Sequence, residues 1–136
     1  MIVVHASVIV AMCLDESELL GSDDTFESVA EQSLLVPAHW HAEVGNALVT
    51  NVRRGRLAAD RLAFAIGNLT VLTVTTQPPP RTEEIESIIA SAIKSGLTFY
   101  DELYVHLAES SKNPLFSFDK AMRAAALKRG VAILPA

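Results

Sequence analysis

Residues 2–14 read IVVHASVIVAMCL, and how this run folds decides the architecture. Ile2 to Val4 is an uninterrupted β-branched triplet, which predicts a buried strand. Ser7 to Leu14 then reads as a helix. An apolar start of this kind imitates a signal peptide. No basic region precedes it, however, His5 and Ser7 interrupt it, and Asp15 and Glu16 follow at once. At this length it cannot span a bilayer. A buried strand running into a helix is the opening of an α/β unit.

Working outward, the pattern repeats. Asp15 to Asp24 is acidic and reads as loop, and Thr25 to Gln32 as a weak helix. Leu34 to Val36 predicts a second strand before Pro37. Ala38 to Arg54 is the clearest helix, with Trp40, Val44 and Leu48 at core spacing and Gly55 closing it. Asp60 to Leu69 predicts a helix with Leu62, Ala65, Ile66 and Leu69 on one side, and Val71 to Val74 a strand. Pro78 to Pro80 must be loop. Thr82 is the expected N-cap of a helix carrying Glu83 and Glu84 in its first turn and ending at Gly96. Leu97 to Phe99 reads as a short extended piece, and Asp101 to Ser110 as a helix with Leu103, Leu107 and Tyr104 inward. Leu115 to Phe118 reads as a strand, Asp119 as the cap of a helix ending before Gly130, and Val131 to Leu134 as a last strand. Alternation of this kind predicts an α/β three-layer sandwich with a mostly parallel central sheet flanked by helices.

The 136 residues suit one domain, 1–136, and half of them are hydrophobic, which excludes disorder. Mean hydropathy is +0.30. Eleven basic against sixteen acidic residues leave a net charge of −5, which excludes a simple basic nucleic-acid binder. It leaves room for a nuclease whose carboxylates hold metal ions. Cys13 is the one cysteine. Disulfides within the chain and thiolate zinc sites are therefore excluded, and a reducing cytoplasm is the expected compartment.

In an open α/β sheet ligands bind beyond the carboxyl ends of the strands. The polar residues expected there are His5 and Ser7 after the first strand, then His39, Glu43 and Asn46 at the start of the long helix. Asp101 follows the extended piece, and Ser117 with Asp119 the Leu115 strand. Each has a plain alternative. Asp119 and Asp101 suit helix caps or first turns, and Glu43 a solvated helix face. Their convergence is what carries a functional reading. Three carboxylates at one edge raise one another's pKa unless a divalent cation intervenes, and oxygen ligands suit Mg²⁺ or Mn²⁺ and phosphodiester hydrolysis.

Other candidates are weaker. His39, His41 and Glu43 make a poor zinc triad, because only His39 and Glu43 share a helix face. Trp40 reads as core, Cys13 as an inert core thiol and His106 as a surface residue. Arg53, Arg54 and Arg56 read as a solvated helix end. Lys120 and Arg123, one turn beyond Asp119, are candidates for RNA backbone contact. A receiver-like phosphoacceptor domain would need a paired acid near the first strand and a Lys after a late one, and neither is well placed.

Four stretches, IVVHASVIV, VPAHWHAEVGNAL, LTFYDELYVHLAE and LFSFDKAMRAAA, resemble the PIN-domain ribonucleases, in particular the VapC-type toxins of bacterial toxin–antitoxin pairs. Their order and spacing cover nearly the whole chain. The resemblance implies a PIN-like fold, RNA hydrolysis by a metal-activated water with Mg²⁺ or Mn²⁺, a homodimer, and a cognate antitoxin. It makes Glu43, Asp101 and Asp119 the acids of a catalytic and metal-binding site, with His5 at its fourth position and Ser7 supporting it; Asn46 and Ser117, at the same sheet edge, are further supporting candidates. One position departs. The pattern V-V-D-x-S expects an Asp where this chain has His5. The change implies weaker Mg²⁺ binding, with Mn²⁺ or Zn²⁺ better tolerated, or a protonated His5 taking over part of the metal's charge. The implied function is a metal-dependent endoribonuclease toxin altered at position 5. Its alternative is a silent PIN-fold module that binds an antitoxin or RNA.

Overall fold

β1 (Ile2–Val4) is buried along its whole length and lies at the centre of a five-stranded sheet. The structure, a computed structural model, describes residues 1–14, 27 and 29–136. The remaining strands are β2 (Ser33–Val36), β3 (Thr73–Thr76), β4 (Leu115–Phe116) and β5 (Ile133–Leu134). Their order is β3-β2-β1-β4-β5, and every pairing is parallel. Val3 is in register with Leu35 on one side and Leu115 on the other. Inner strands of a parallel sheet are covered on both faces, which is why β1, β2 and β4 are almost purely apolar.

Six α-helices are described: α1 (Ala6–Cys13), α2 (Trp40–Arg53), α3 (Leu62–Thr70), α4 (Thr82–Ser95), α5 (Phe99–Ser111) and α6 (Lys120–Lys128). A 3₁₀ turn, Ala59–Arg61, leads into α3. Contacts divide the helices into two groups. α1 packs on α2 and α3, whereas α5 packs on α4, α6, β1 and β4. The chain moves from β1 outward through β2 to β3, then returns across β1 to β4 and β5. Right-handed crossovers place the two excursions on opposite faces, giving the three-layer α/β sandwich. The winding reverses between β1 and β4. There the sheet opens a crevice at its carboxyl edge.

Several expected boundaries shift, each for a local reason. The third strand is Thr73–Thr76, not Val71 to Val74. Val71 caps α3 and is exposed, while the threonines pair with Ser33–Val36 along their full length. β3 is an edge strand, so polar β-branched residues suit it. Ile66, expected on the buried side of α3, is exposed, while Ala65 is buried. Arg81, not Thr82, is the N-cap of α4, and its backbone N–H donates to Glu84 Oε1 at 3.1 Å. Leu97 to Phe99 is not extended. Gly96 closes α4 with φ +70°, Leu97 N–H returns to Ala92 O, and Thr98 already caps α5. β4 stops at Phe116, short of the expected Phe118, and β5 begins at Ile133 rather than Val131. The acidic loop over Asp15 to Asp24 lies outside the described residues. Of the helix expected over 25–32, residues 27 and 29–32 are described; 27 and 29–31 are helical and Gln32 is not.

Candidate active site

In a parallel sheet with returning helices, helix N-termini collect at the carboxyl edge of the strands. His5 is the N-cap of α1, Glu43 lies in the first turn of α2, Asp101 in the first turn of α5, and Asp119 caps α6. The positive ends of these helices favour the acidic side chains placed there. His5 N–H donates to Phe116 O at 2.9 Å, which holds the residue to β4 at the sheet edge. Thr98 Oγ1 accepts the Asp101 N–H at 3.1 Å. Asp119 Oδ1 accepts the Met122 N–H at 2.8 Å, and Ser117 Oγ accepts the Asp119 N–H at 3.1 Å.

Side chains from separate elements then meet. His5 Nδ1 lies 2.7 Å from Ser7 Oγ, and His5 Nε2 lies 3.7 Å from Asp101 Oδ1. The second distance is an electrostatic contact, too long for a hydrogen bond. Tyr104, fully buried one turn beyond Asp101, donates its hydroxyl to Glu43 Oε1 at 2.7 Å. Its ring meets His5 edge-on at 4.7 Å and His39 at 5.2 Å. His39 Nε2 is 3.0 Å from Glu43 Oε1, yet its alignment leaves that nitrogen without a directed hydrogen bond.

Burial drives His5 below the ordinary imidazole value of 6.5, against the pull of Glu43, Asp101 and Asp119; nearby His39 adds to the lowering. Burial thus favours the neutral imidazole, against the expectation of a protonated one among the acids. Glu43 moves the other way from the usual buried carboxylate. Burial pushes it up, but the close approach of His39, the hydrogen bond from Tyr104 and the charge of nearby His5 outweigh that and hold it below its usual range. Asp101 is raised by burial and by Asp119 and Glu43, with His5 and Thr98 opposing. Two half-buried carboxylates with pKa values pushed apart are a recurrent acid–base arrangement.

The donor set suits a hard divalent ion in charge but not in spacing. Among the described residues, no three His, Cys, Asp or Glu side chains stand close enough together to hold one ion. Glu43 is committed to Tyr104, and the His5 ring to Ser7. As folded, these residues do not form a metal cage.

The structure brings His5, Ser7, Glu43 and Asp101 together by contact or through shared partners, and Asp119 lies within electrostatic reach of His5 and Asp101. Ser117 is buried beneath Asp119. Asn46 is exposed, and its side chain makes no hydrogen bond among the described residues. Lys120 is exposed, whereas Arg123 donates to the carbonyls of Ser117, Leu134 and Pro135, tying α6 to the chain end. Those three bonds leave Arg123 poorly placed as a free phosphate contact. His41 stacks edge-on against Trp40, away from Glu43, so no zinc triad forms. Sequence reasoning placed Tyr104 in the core without its role toward Glu43. Its position three residues after Asp101, on the same helical face, was the available signal.

A PIN-like doubly wound domain, with acids gathered at the crevice where its winding reverses, is the class that this fold and site define. No family model matches the chain. It is 29% identical over 121 residues to a protein named Ribonuclease VapC3 of Pyrobaculum aerophilum, covering 89% of this chain and 91% of that one. It is 34% identical over 86 residues to Exonuclease VapC9 of the same organism, 60% of this chain and 59% of that protein. The crystal structure of PAE2754 from Pyrobaculum aerophilum superposes with a TM-score of 0.67 at 26% identity, over 97% of this chain and 82% of that one. These likenesses support a VapC-like, PIN-like kinship. No described helix is long and apolar enough to cross a membrane.

Proposed function

We propose that the chain is a VapC-like endoribonuclease toxin, acting on RNA phosphodiesters and held by a cognate antitoxin, whose use of Mg²⁺ or Mn²⁺ is impaired at position 5. The observation that carries the reading is the convergence of Glu43, Asp101 and Asp119 on the neutral imidazole of His5, at the crevice between β1 and β4. Glu43, kept ionised and oriented by Tyr104, is the group best placed to accept a proton from an attacking water. A phosphate entering the crevice meets net negative charge that the helix N-termini offset only in part. A divalent ion held by Glu43, Asp101 and Asp119 would reverse that balance, and an acid at position 5 would supply the ligand that His5 withholds. A homodimer in a reducing cytoplasm belongs to the same reading.

A second reading, a silent module that binds antitoxin or RNA, is favoured by one observation: the absence of a three-ligand cluster among the described residues. RNA cleavage and Mn²⁺ titration of the wild type, His5→Asp and His5→Asp/Asp101→Asn separate the two. The nuclease reading expects His5→Asp to bind Mn²⁺ about 10- to 100-fold more tightly and to cleave correspondingly faster, with Asp101→Asn removing both gains. Equal, robust cleavage by wild type and His5→Asp would show that position 5 is not the defect. RNA binding with no cleavage by either protein establishes the silent module.

A further inference from the structure

Beside the acid cluster lies a cleft of about 480 Å³, walled by α5 and α4 and rimmed by Pro78–Pro80. We propose that it is a nucleobase subsite, in which Tyr100 stacks on one base of a single-stranded RNA whose neighbouring phosphodiester lies at Glu43 and Asp101. The inference rests on the RNA-directed reading of the site and adds to it the means by which the strand is held.

The first support is continuity. His39 belongs to both places: its Nε2 stands 3.0 Å from Glu43 Oε1, and its ring centre is 5.2 Å from that of Tyr100. A strand crossing from the acids into the cleft passes along these two rings. The second support is Tyr100 itself. Tyr104, one turn along α5, is fully buried, whereas Tyr100 is 61% exposed on the cleft wall. Its ring contributes little to the core and presents a free aromatic surface. The third is the lining. Ile88 and Leu107 give the cleft an apolar floor, and the three prolines give it a stiff rim with fixed φ. A preformed wall lowers the ordering cost of binding, and the volume lies within the roughly 300–1,000 Å³ of small-ligand sites.

Charge selects the occupant. The chain carries −5 and its site is acidic, so affinity for RNA cannot come chiefly from phosphate neutralisation. Stacking on an aromatic ring is independent of net charge and tolerant of base identity. Arg81 stands at the rim, where it gives its Nε to Glu84 and, among the described residues, makes no hydrogen bond through its outer nitrogens.

The test is fluorescence anisotropy of a labelled oligouridylate, 2′-O-methylated and kept in chelator so that no cleavage intervenes. The wild type binds it. Tyr100→Ala weakens binding about tenfold, and Tyr100→Phe, which keeps the ring, stays within about twofold. Moving a single abasic nucleotide along the strand finds one position that costs the wild type affinity and costs Tyr100→Ala nothing further. Tyr100 is exposed, so the variants fold, as far-ultraviolet dichroism checks. If Tyr100→Ala binds like the wild type, the subsite is overturned while the RNA reading stands. If the wild type does not bind the strand at all, the RNA reading fails and the subsite falls with it.

Discussion

At the residue scale, the ionisation of position 5 and its neighbours governs the site. Burial with Asp119 and Glu43 raises the Asp101 pKa above the ordinary 3.8, and His5 offsets that rise only in part. The folded chain therefore holds the Asp101 proton more tightly than the unfolded chain does. Stability that depends on the protonated form is fully present below pH 3.8 and is lost as pH rises through the elevated folded value. Above that value the ionised carboxylate is a constant penalty, which Asp101→Asn removes. In the absence of divalent ions, Asp101→Asn should melt at a higher temperature than the wild type at pH 7. The gap should close as melts are taken below pH 3.8. A variant that melts lower than the wild type at neutral pH would contradict this account. The identity of the departure at position 5 was legible, because the surrounding V-V-x-x-S was intact. Its charge state was not, since the sequence shows the three acids that raise a histidine's pKa and hides the burial that wins.

At the scale of elements, α5 carries most of the design. Thr98 caps it, Asp101 and Tyr104 face the crevice, and Glu102 points the other way into full burial. Glu102 receives both terminal nitrogens of Arg129, at 2.7 and 2.8 Å, and Arg129 also donates to Ser95 Oγ at 2.8 Å. One guanidinium thus locks the end of α6 to α5 and to the end of α4. Arg129→Ala strands a buried carboxylate and should cost about 3–5 kcal/mol in urea denaturation. The double change Glu102→Leu/Arg129→Met removes both charges and should recover most of that loss. Failure of the double variant to recover would show that the cost lies in packing instead. Nothing in FYDELYVHLAESS marks Glu102 as buried, because its partner lies 27 residues ahead. The same limit explains β3 and the corner before α5. The β-branched run reads as a strand over Val71 to Val74, but the choice of Thr73–Thr76 is made by pairing with β2. The Leu97–Phe99 reading missed that Gly96 and Thr98 close one helix and open the next with no room between. By contrast, Ile2–Val4 and Trp40–Arg53 were readable because both are buried against several neighbours, and that requirement is written into every residue on the buried face.

For the whole molecule, the unusual property of a proposed RNA-directed enzyme is an acidic surface. The net charge is −5, and Arg123 and Arg129, two cations near the carboxyl end, are consumed in holding the fold together. Arg53, Arg54 and Arg56 are exposed, but they lie at the end of α2 and beyond it, while Glu43 and the crevice are at its start. Helix N-termini supply positive potential at the crevice, yet partial charges release no counterions. Phosphate contacts are thus expected to number one or two, from exposed Lys120 beside Asp119 and from Arg81 at the cleft rim, which is already shared with Glu84. For a single strand each phosphate contact contributes a slope of about −0.7 in log affinity against log salt. A fourfold rise in salt should therefore weaken RNA binding only about three- to sevenfold. Proteins with six to ten such contacts lose about 300-fold to 16,000-fold over the same range. Binding of the oligouridylate measured from about 50 to 200 mM salt decides between the two regimes. A steep slope would mean that a partner surface or a second copy of the chain supplies the missing positive charge. A shallow slope means that a single acidic domain grips its strand by its bases.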